Sequence, residues 1–392
     1  MLSMKITKSL LLASAIFCWT TISAEPVEDE ELARQETFRA GMQEIVAELN
    51  RGSFDRFIAA IDRDDFIERI FGLRLIDQKV KRQFLDDLEF RYDSMIKSAF
   101  ADSKDELKAT LLAVESRGNR GRAVVRFDLP DFQFSYHEYE LLLGDKNRFV
   151  IVDWIDYLQG EQFTDGIGMM LIKAAPSKPA IRKLIDFKNV KEADLFQFTE
   201  LLKAARDRQA ERYINIINGL DERLARQKVV VLTSVQLTRQ IRSRRMQRTA
   251  LMYMAKYHPE EPLFSLMLLD YYFPSRQYEE ALQALQRLYD KLDAEDSAME
   301  ARLSAATLVL GDGQAADAHA EKALSLEPGL ELAWWSALRA RAALSDFTGA
   351  VEALSQLESQ FGHELGPEAL EKDRGLTQLL ASDEYNGWLA AR

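Results

Sequence analysis

The chain has 392 residues, of which 47% are apolar and 29% charged, with a formal net charge of −12 and one cysteine. That apolar share sustains a large core and excludes a disordered chain, and the length allows two or three domains. An acidic balance excludes a nucleic-acid backbone as the main partner, because phosphate binding runs on Lys and Arg.

The first residues read MLSMKITKSLLLASAIFCWTTISAEP. Lys5 and Lys8 precede a short apolar run, Ser9 to Trp19, and small residues from Thr20 to Ala24 follow. This is the pattern of a secretory signal peptide over 1–24, cleaved after Ala24. The apolar run is short for a bilayer span, and an uncleaved anchor is the alternative. Phe17 before Cys18 departs from the small residue that a lipid-anchoring signal wants. Cys18 leaves with the leader, so the mature chain has no disulfide or thiolate chemistry, which suits a bacterial periplasm. Loss of the two leader lysines takes the net charge from −12 to −14.

Residues 25–176 predict an α+β domain. Helical periodicity covers 28–103, including FDRFIAAI and VKRQFLDDLEFRYDSMIKSAF. The period then changes to two in LKATLLAVESR, GRAVVRFDL, FQFSYHEYELLL and NRFVIVDWIDYL. These predict a four-stranded antiparallel sheet with turns at Gly118-Asn119 and Gly144-Asp145. A helix over about 160–173 and a linker, AAPSKP, complete the unit. The layout resembles the cone-shaped folds of the cystatin-like and nuclear-transport-factor-like group, and is similar to that of periplasmic phospholipid carriers. The resemblance implies a cavity lined by Phe127, Phe134, Tyr136 and Phe149 or their neighbours. A pocket carboxylate, Asp153 or Asp156, would there be a general base. The other reading makes one of them a strand-end residue and pairs the other with Arg122 or Arg126.

Residues 177–259 predict a helical linker or degenerate repeats. KVVVLTSVQLTRQ is β-branched, yet its flanks are helical, and it reads as the first helix of a degenerate unit ending near Pro259. RQIRSRRMQR carries five arginines, Arg239, Arg242, Arg244, Arg245 and Arg248. They are a candidate docking face for an acidic partner or anionic headgroups, or a solvated helix face balancing the acidic C-terminal half. Membrane contact is accordingly peripheral, and nucleic acid is not expected.

Residues 260–364 repeat. RQYEEALQALQRL, the segment around Ala316, and SDFTGAVEALSQL place Ala281, Ala316 and Ala350 at spacings of 35 and 34. A period near 34 with small residues at helix crossings resembles the tetratricopeptide repeat. Three units follow, about 262–295, 297–330 and 331–364, with Leu269 and Arg341 departing from the usual residue types. Residues 365–392 predict capping helices for the last apolar face. The fold class is therefore an α+β domain followed by an all-α helical solenoid.

The resemblance implies a concave groove made by the first helices of each unit. It places Leu263, Leu266, Asp270, Phe273, Leu308, Leu332, Trp335 and Arg339 there, with Ala298, Ala301, Ala305 and Ala342 between them. Trp334 is then expected between helices. Trp335 either faces the groove beside Arg339 or packs on a neighbouring repeat or on the N-terminal domain. An apolar groove with an aromatic and a guanidinium suits a protein or peptide partner.

No catalytic, cofactor or metal set is expected. His137, His258, His319 and His363 lack ligand spacing and read as surface or turn histidines. The expected function is an exported, periplasmic protein–protein interaction scaffold or adaptor of the cell envelope, not an enzyme. A lipid or small apolar-ligand carrier in the cone is the alternative, and an enzyme using a pocket carboxylate is third.

Overall fold

The computed structural model describes residues 25–72, 74–103, 107–144, 148–175, 177–185 and 191–391. The expected leader, 1–24, and Asp145 of the second expected turn lie outside the described residues.

The helical start is α1 (Glu25–Leu49), α2 (Asp55–Ala60), α3 (Arg63–Phe71) and α4 (Gln78–Lys97), ending in a 3₁₀ turn, Ser98–Ser103. On α1, Phe38, Met42, Ile45, Val46 and Leu49 are buried, one stripe at helical spacing. The stripe lies on β1 (Lys108–Arg117). Asn50 clamps that edge strand, donating to the Ala109 carbonyl at 2.9 Å and accepting from its amide at 2.6 Å. Such cover satisfies an edge that would otherwise pair with another chain.

The sheet continues through β2 (Arg120–Leu129), β3 (Gln133–Leu143), β4 (Phe149–Asp156) and β5 (Glu161–Gln162), each antiparallel to its predecessor. The four strands read from the sequence are all present. The sheet has five, because the chain turns back after β4 for two residues that pair with Ile155 and Asp156. Two residues are too few to produce an alternating pattern. Gly118 takes φ +63° in the two-residue turn between β1 and β2, where a side chain would be strained.

Alternation gives the sheet two apolar faces. Ala123, Val125, Phe127, Tyr139, Leu141 and Trp154 meet α1–α4. Val124, Phe134, Tyr136 and Tyr157 belong to the core of the helices that follow. The first side is filled by rings: Trp154 stacks on Phe163 at 4.3 Å, and Phe57 meets Trp154 edge-on at 5.5 Å.

After α5 (Phe163–Ala174) and α6 (Lys178–Leu184) the chain is helical to its end. The successive helices are α7 (Glu192–Arg206), α8 (Ala210–Asn218), α9 (Glu222–Ala225), α10 (Lys228–Ile241) and α11 (Arg244–Tyr257). Three hairpins follow: α12 (Ser265–Tyr272) with α13 (Tyr278–Leu292), α14 (Ser297–Val309) with α15 (Gly313–Leu326), and α16 (Glu331–Ala343) with α17 (Phe347–Phe361). The β-branched run is indeed helix α10. Tertiary burial of Val230, Val231, Leu232 and Val235 overrides its propensity. Its buried hydroxyls are satisfied within the helix, Ser234 donating to Val230 O and Thr238 to Ser234 O.

The three hairpins repeat one arrangement of packed helix pairs. Ala281, Ala316 and Ala350 are all fully buried. Each is the fourth residue after its helix cap, and each amide donates at 3.0 Å to the carbonyl of that cap, Gln277, Asp312 or Asp346. They occupy equivalent points, as their spacing requires. The short helices α18 (Pro367–Leu370), α19 (Thr377–Leu380) and α20 (Asp383–Ala390) close the stack, and Leu376, Leu379 and Tyr385 are buried in one core with residues of α16 and α17.

Candidate functional site

The first two of these hairpins carry the sheet of the same chain. Arg126 leaves β2 on the face opposite the aromatic core and is fully buried. Its Nη1 donates to Asp296 at 2.5 Å, its Nη2 to Glu327 at 2.8 Å and its Nε to Asp128 at 2.8 Å. Asp296 caps α14 through the Met299 amide and accepts from the Tyr136 hydroxyl at 2.6 Å. Burial disfavours the Arg126 cation, but Asp296, Asp128 and Glu327 outweigh it and hold the guanidinium pKa above its usual value. Burial, then the Asp296 charge, pushes the Tyr136 phenol well up, so it stays a donor.

Further contacts extend this seat. Arg122 donates to the Leu292 carbonyl at 2.6 Å, a cation at the C-terminal end of α13. Phe134 lies between two guanidinium groups, Arg126 at 5.6 Å and Arg302 at 5.2 Å. Arg302 donates to the Phe132 carbonyl at 3.0 Å. Phe132 and Asp131 both have positive φ at the tip of the β2–β3 hairpin, which is rare away from glycine. Gly160 adds a close approach: a Cβ there would collide with Met267 and lie 3.2 Å from the Leu263 carbonyl.

The expected groove residues are distributed unevenly around this seat. Leu266 is buried, and Leu263, Phe273 and Leu332 pack half-buried on the same core as the sheet. Asp270 is exposed and paired with Arg239 at 2.9 Å. Leu308 is half-buried. Trp334 is half-buried and donates to the Pro328 carbonyl at 2.9 Å. Trp335 is half-buried beside the His363 ring and donates to Glu331 at 3.0 Å. Arg339 sits 5.6 Å over the Trp335 ring and pairs with Asp373 at 2.8 Å, so the C-terminal cap reaches this pair. Val309, Leu310 and Leu344, to which the repeat pattern assigns no role, are exposed at the C-terminal ends of α14 and α16. Leu344 also covers Gly313, 3.0 Å from where its Cβ would be.

On the basic face, Arg239 donates to the Leu158 carbonyl at 2.7 Å, and Arg245 pairs with Glu211. Arg242, Arg244 and Arg248 are exposed and form no ion pair among the described residues.

The chemistry read from single residues is corrected. Neither Asp153 nor Asp156 meets Arg122, which pairs with Glu115 and Glu138, or Arg126, which pairs with Asp128, Asp296 and Glu327. Asp153 accepts from the Thr164 hydroxyl at 2.6 Å and the Trp154 amide at 2.9 Å, which ties β4 to α5. Burial raises its pKa against those hydrogen bonds. Asp156 accepts from the Leu158 and Gln159 amides, closing the turn into β5.

His137 is not a surface residue. It is buried between Phe100, Phe127 and Trp154, with Nδ1 3.0 Å from the Tyr139 hydroxyl, and burial lowers its pKa to about 3. Ser135, His137 and Asp156 border a void of about 10 Å³, which holds at most a water and no substrate. Among the described residues, the side chains expected to line a ligand cavity pack into two separate cores instead. Strand alternation turns Phe127 into the aromatic core, and Phe134 and Tyr136 toward the helices. No cluster of His, Cys, Asp and Glu able to hold a metal occurs among the described residues.

No family model matches the chain, and no curated protein matches it in sequence. Several solved structures are similar in part, among them two crystal structures. One is the crystal structure of MamA protein, at 17% identity and a TM-score of 0.30, covering 45% of this chain and 99% of that one. The other is the crystal structure of PilW, a widely conserved type IV pilus biogenesis factor, at 11% identity and a TM-score of 0.30, covering 51% of this chain and all of that one.

Proposed function

We propose that this protein is an exported protein–protein interaction scaffold or adaptor of the bacterial cell envelope. Its partner segment docks on the part of the hairpin stack that the sheet leaves open. One observation carries this reading: the stack already holds a β-hairpin of its own chain, through Arg126, Asp296, Arg302 and Phe134. A surface built to seat one segment is suited to seat another. Beyond that seat, Val309, Leu310 and Leu344 are 54%, 39% and 40% exposed, and a patch of large apolar residues marks a docking site. Export rests on the leader pattern of 1–24, and the periplasm on the loss of the only cysteine with it. Among the described residues no helix is long and apolar enough to cross a membrane.

The test is capture of partners from native envelopes by the full chain. Val309→Asp with Leu344→Asp is expected to abolish capture while thermal unfolding stays unchanged. Trp335→Ala with Arg339→Ala is expected to weaken it, and undiminished capture by both variants refutes the docking assignment.

A further inference from the structure

A second recess lies away from the hairpin patch, where the end of the sheet meets α10. It has two compartments that share Gln159, Gln236 and Gln240. The compartment of about 510 Å³ is walled by one stripe of α5, Phe163, Ile167, Met170 and Ala174, with Leu237 opposite. Met170 is 53% exposed there. The compartment of about 630 Å³ is bordered by Leu129, Asp131 and Gln133 of the β2–β3 turn, and by Arg239 and Arg242.

The polar groups between them are arranged as donors and acceptors. Gln236 is buried, accepts from Lys173 Nζ at 3.3 Å and donates to Glu161 at 2.6 Å and to the Gln159 carbonyl at 3.1 Å. Lys173 and Glu161, joined through Gln236, therefore bring one basic and one acidic side chain to the same wall. The exposed amides of Gln159 and Gln240 make no side-chain hydrogen bond among the described residues. Arg242, in the left-handed region at φ +56°, stands at the outer end and forms no ion pair among the described residues.

We propose that this recess binds an extended peptide, with an apolar side chain on the Met170 stripe, backbone groups on Gln159 and Gln240, and an acidic residue at Arg242. The proposal rests on the scaffold reading and names a second docking place within it. An amide group suits a wall with one basic and one acidic side chain, and free primary amides suit both backbone N–H and C=O. Arg239 beside Arg242 on the same compartment adds to the preference for acidic sequence. Volumes of this size enclose a side chain or small ligand rather than a domain.

The probe is a set of fluorescein-labelled Gly/Ser peptides carrying one Leu and an Asp-Asp pair three to seven residues away, titrated into the full chain by fluorescence anisotropy. At least one spacing is expected to bind saturably. Leu→Ser in the peptide is expected to weaken it about tenfold or more, and Asp→Lys similarly. Met170→Asp should abolish binding, and Arg242→Glu should reverse the preference for Asp over Lys. Val309→Asp with Leu344→Asp should leave peptide binding intact, which separates this recess from the hairpin patch. Absence of saturable binding at every spacing, or binding indifferent to both Met170→Asp and Arg242→Glu, overturns the proposal. So does sodium dodecanoate binding where no peptide does, because the recess would then take a free amphiphile.

Discussion

Arg126 on β2 and Asp296 at the start of α14 form a buried ion pair 2.5 Å long across 170 residues of chain. Neither side chain reaches solvent, and Glu327, Asp128 and Tyr136 complete their hydrogen bonds. This pair joins the sheet to the repeats.

Removing one partner leaves the other charge buried and unpaired. Arg126→Met is expected to cost about 3–5 kcal/mol, and Arg126→Met with Asp296→Leu is expected to cost less than the single change. Urea unfolding of the three proteins checks this, and a double variant less stable than the single one contradicts it.

Gly160 marks where the sheet end touches α12. Gly160→Ala adds a Cβ against Met267 and strains a backbone at φ +72°. The expected loss is about 1–3 kcal/mol, with earlier proteolysis between the sheet and the hairpins. Unchanged unfolding and digestion would show that the contact is not close.

The three crossing alanines should behave alike. Leucine at Ala281, Ala316 or Ala350 overpacks a fully buried point and is expected to cost about 1–3 kcal/mol, whereas Ala318→Leu, on the exposed side of α15, should change stability by less than about 0.5 kcal/mol. Thermal unfolding ranks the four, and a tolerated leucine at any of the three would remove that hairpin from the series.

His137 gives the stability a pH dependence. Its folded pKa, about 3, lies below the unfolded value near 6.5. The unfolded chain therefore takes up the proton first, and stability falls as pH drops below about 6.5 toward 3. Between pH 7 and 4.5 this contributes a loss on the order of 2–3 kcal/mol. His137→Phe should show a correspondingly shallower decline in urea midpoint over that interval. Parallel profiles for the two proteins would contradict the burial of a neutral imidazole.

Much of this architecture was legible. Period-two runs located β1 to β4, and the spacing of Ala281, Ala316 and Ala350 located the hairpins, because both signals are local. The contact between the sheet and the hairpins was not. Alternation places Arg126 on the second side of β2, but nothing near it in sequence names Asp296 or Glu327. A charged residue inside AVVRFDL was the available signal that this side meets another surface. His137 and Asp153 were misread because their surroundings come from other elements: Phe127 of β2 and Trp154 of β4 enclose the His137 ring, and Thr164 of α5 holds Asp153. The exposed tips Val309 and Leu344 end their helices, where repeat patterning assigns no role.

The most direct test of the scaffold reading is site-specific photocrosslinking in intact envelopes, with a benzophenone side chain at Val309, Leu310 or Leu344, and at Gln283 on the exposed side of α13 as control. The account predicts one discrete adduct of the same size from the three hairpin-tip positions and none from Gln283. No adduct at any tip, or an equal adduct at Gln283, would contradict it.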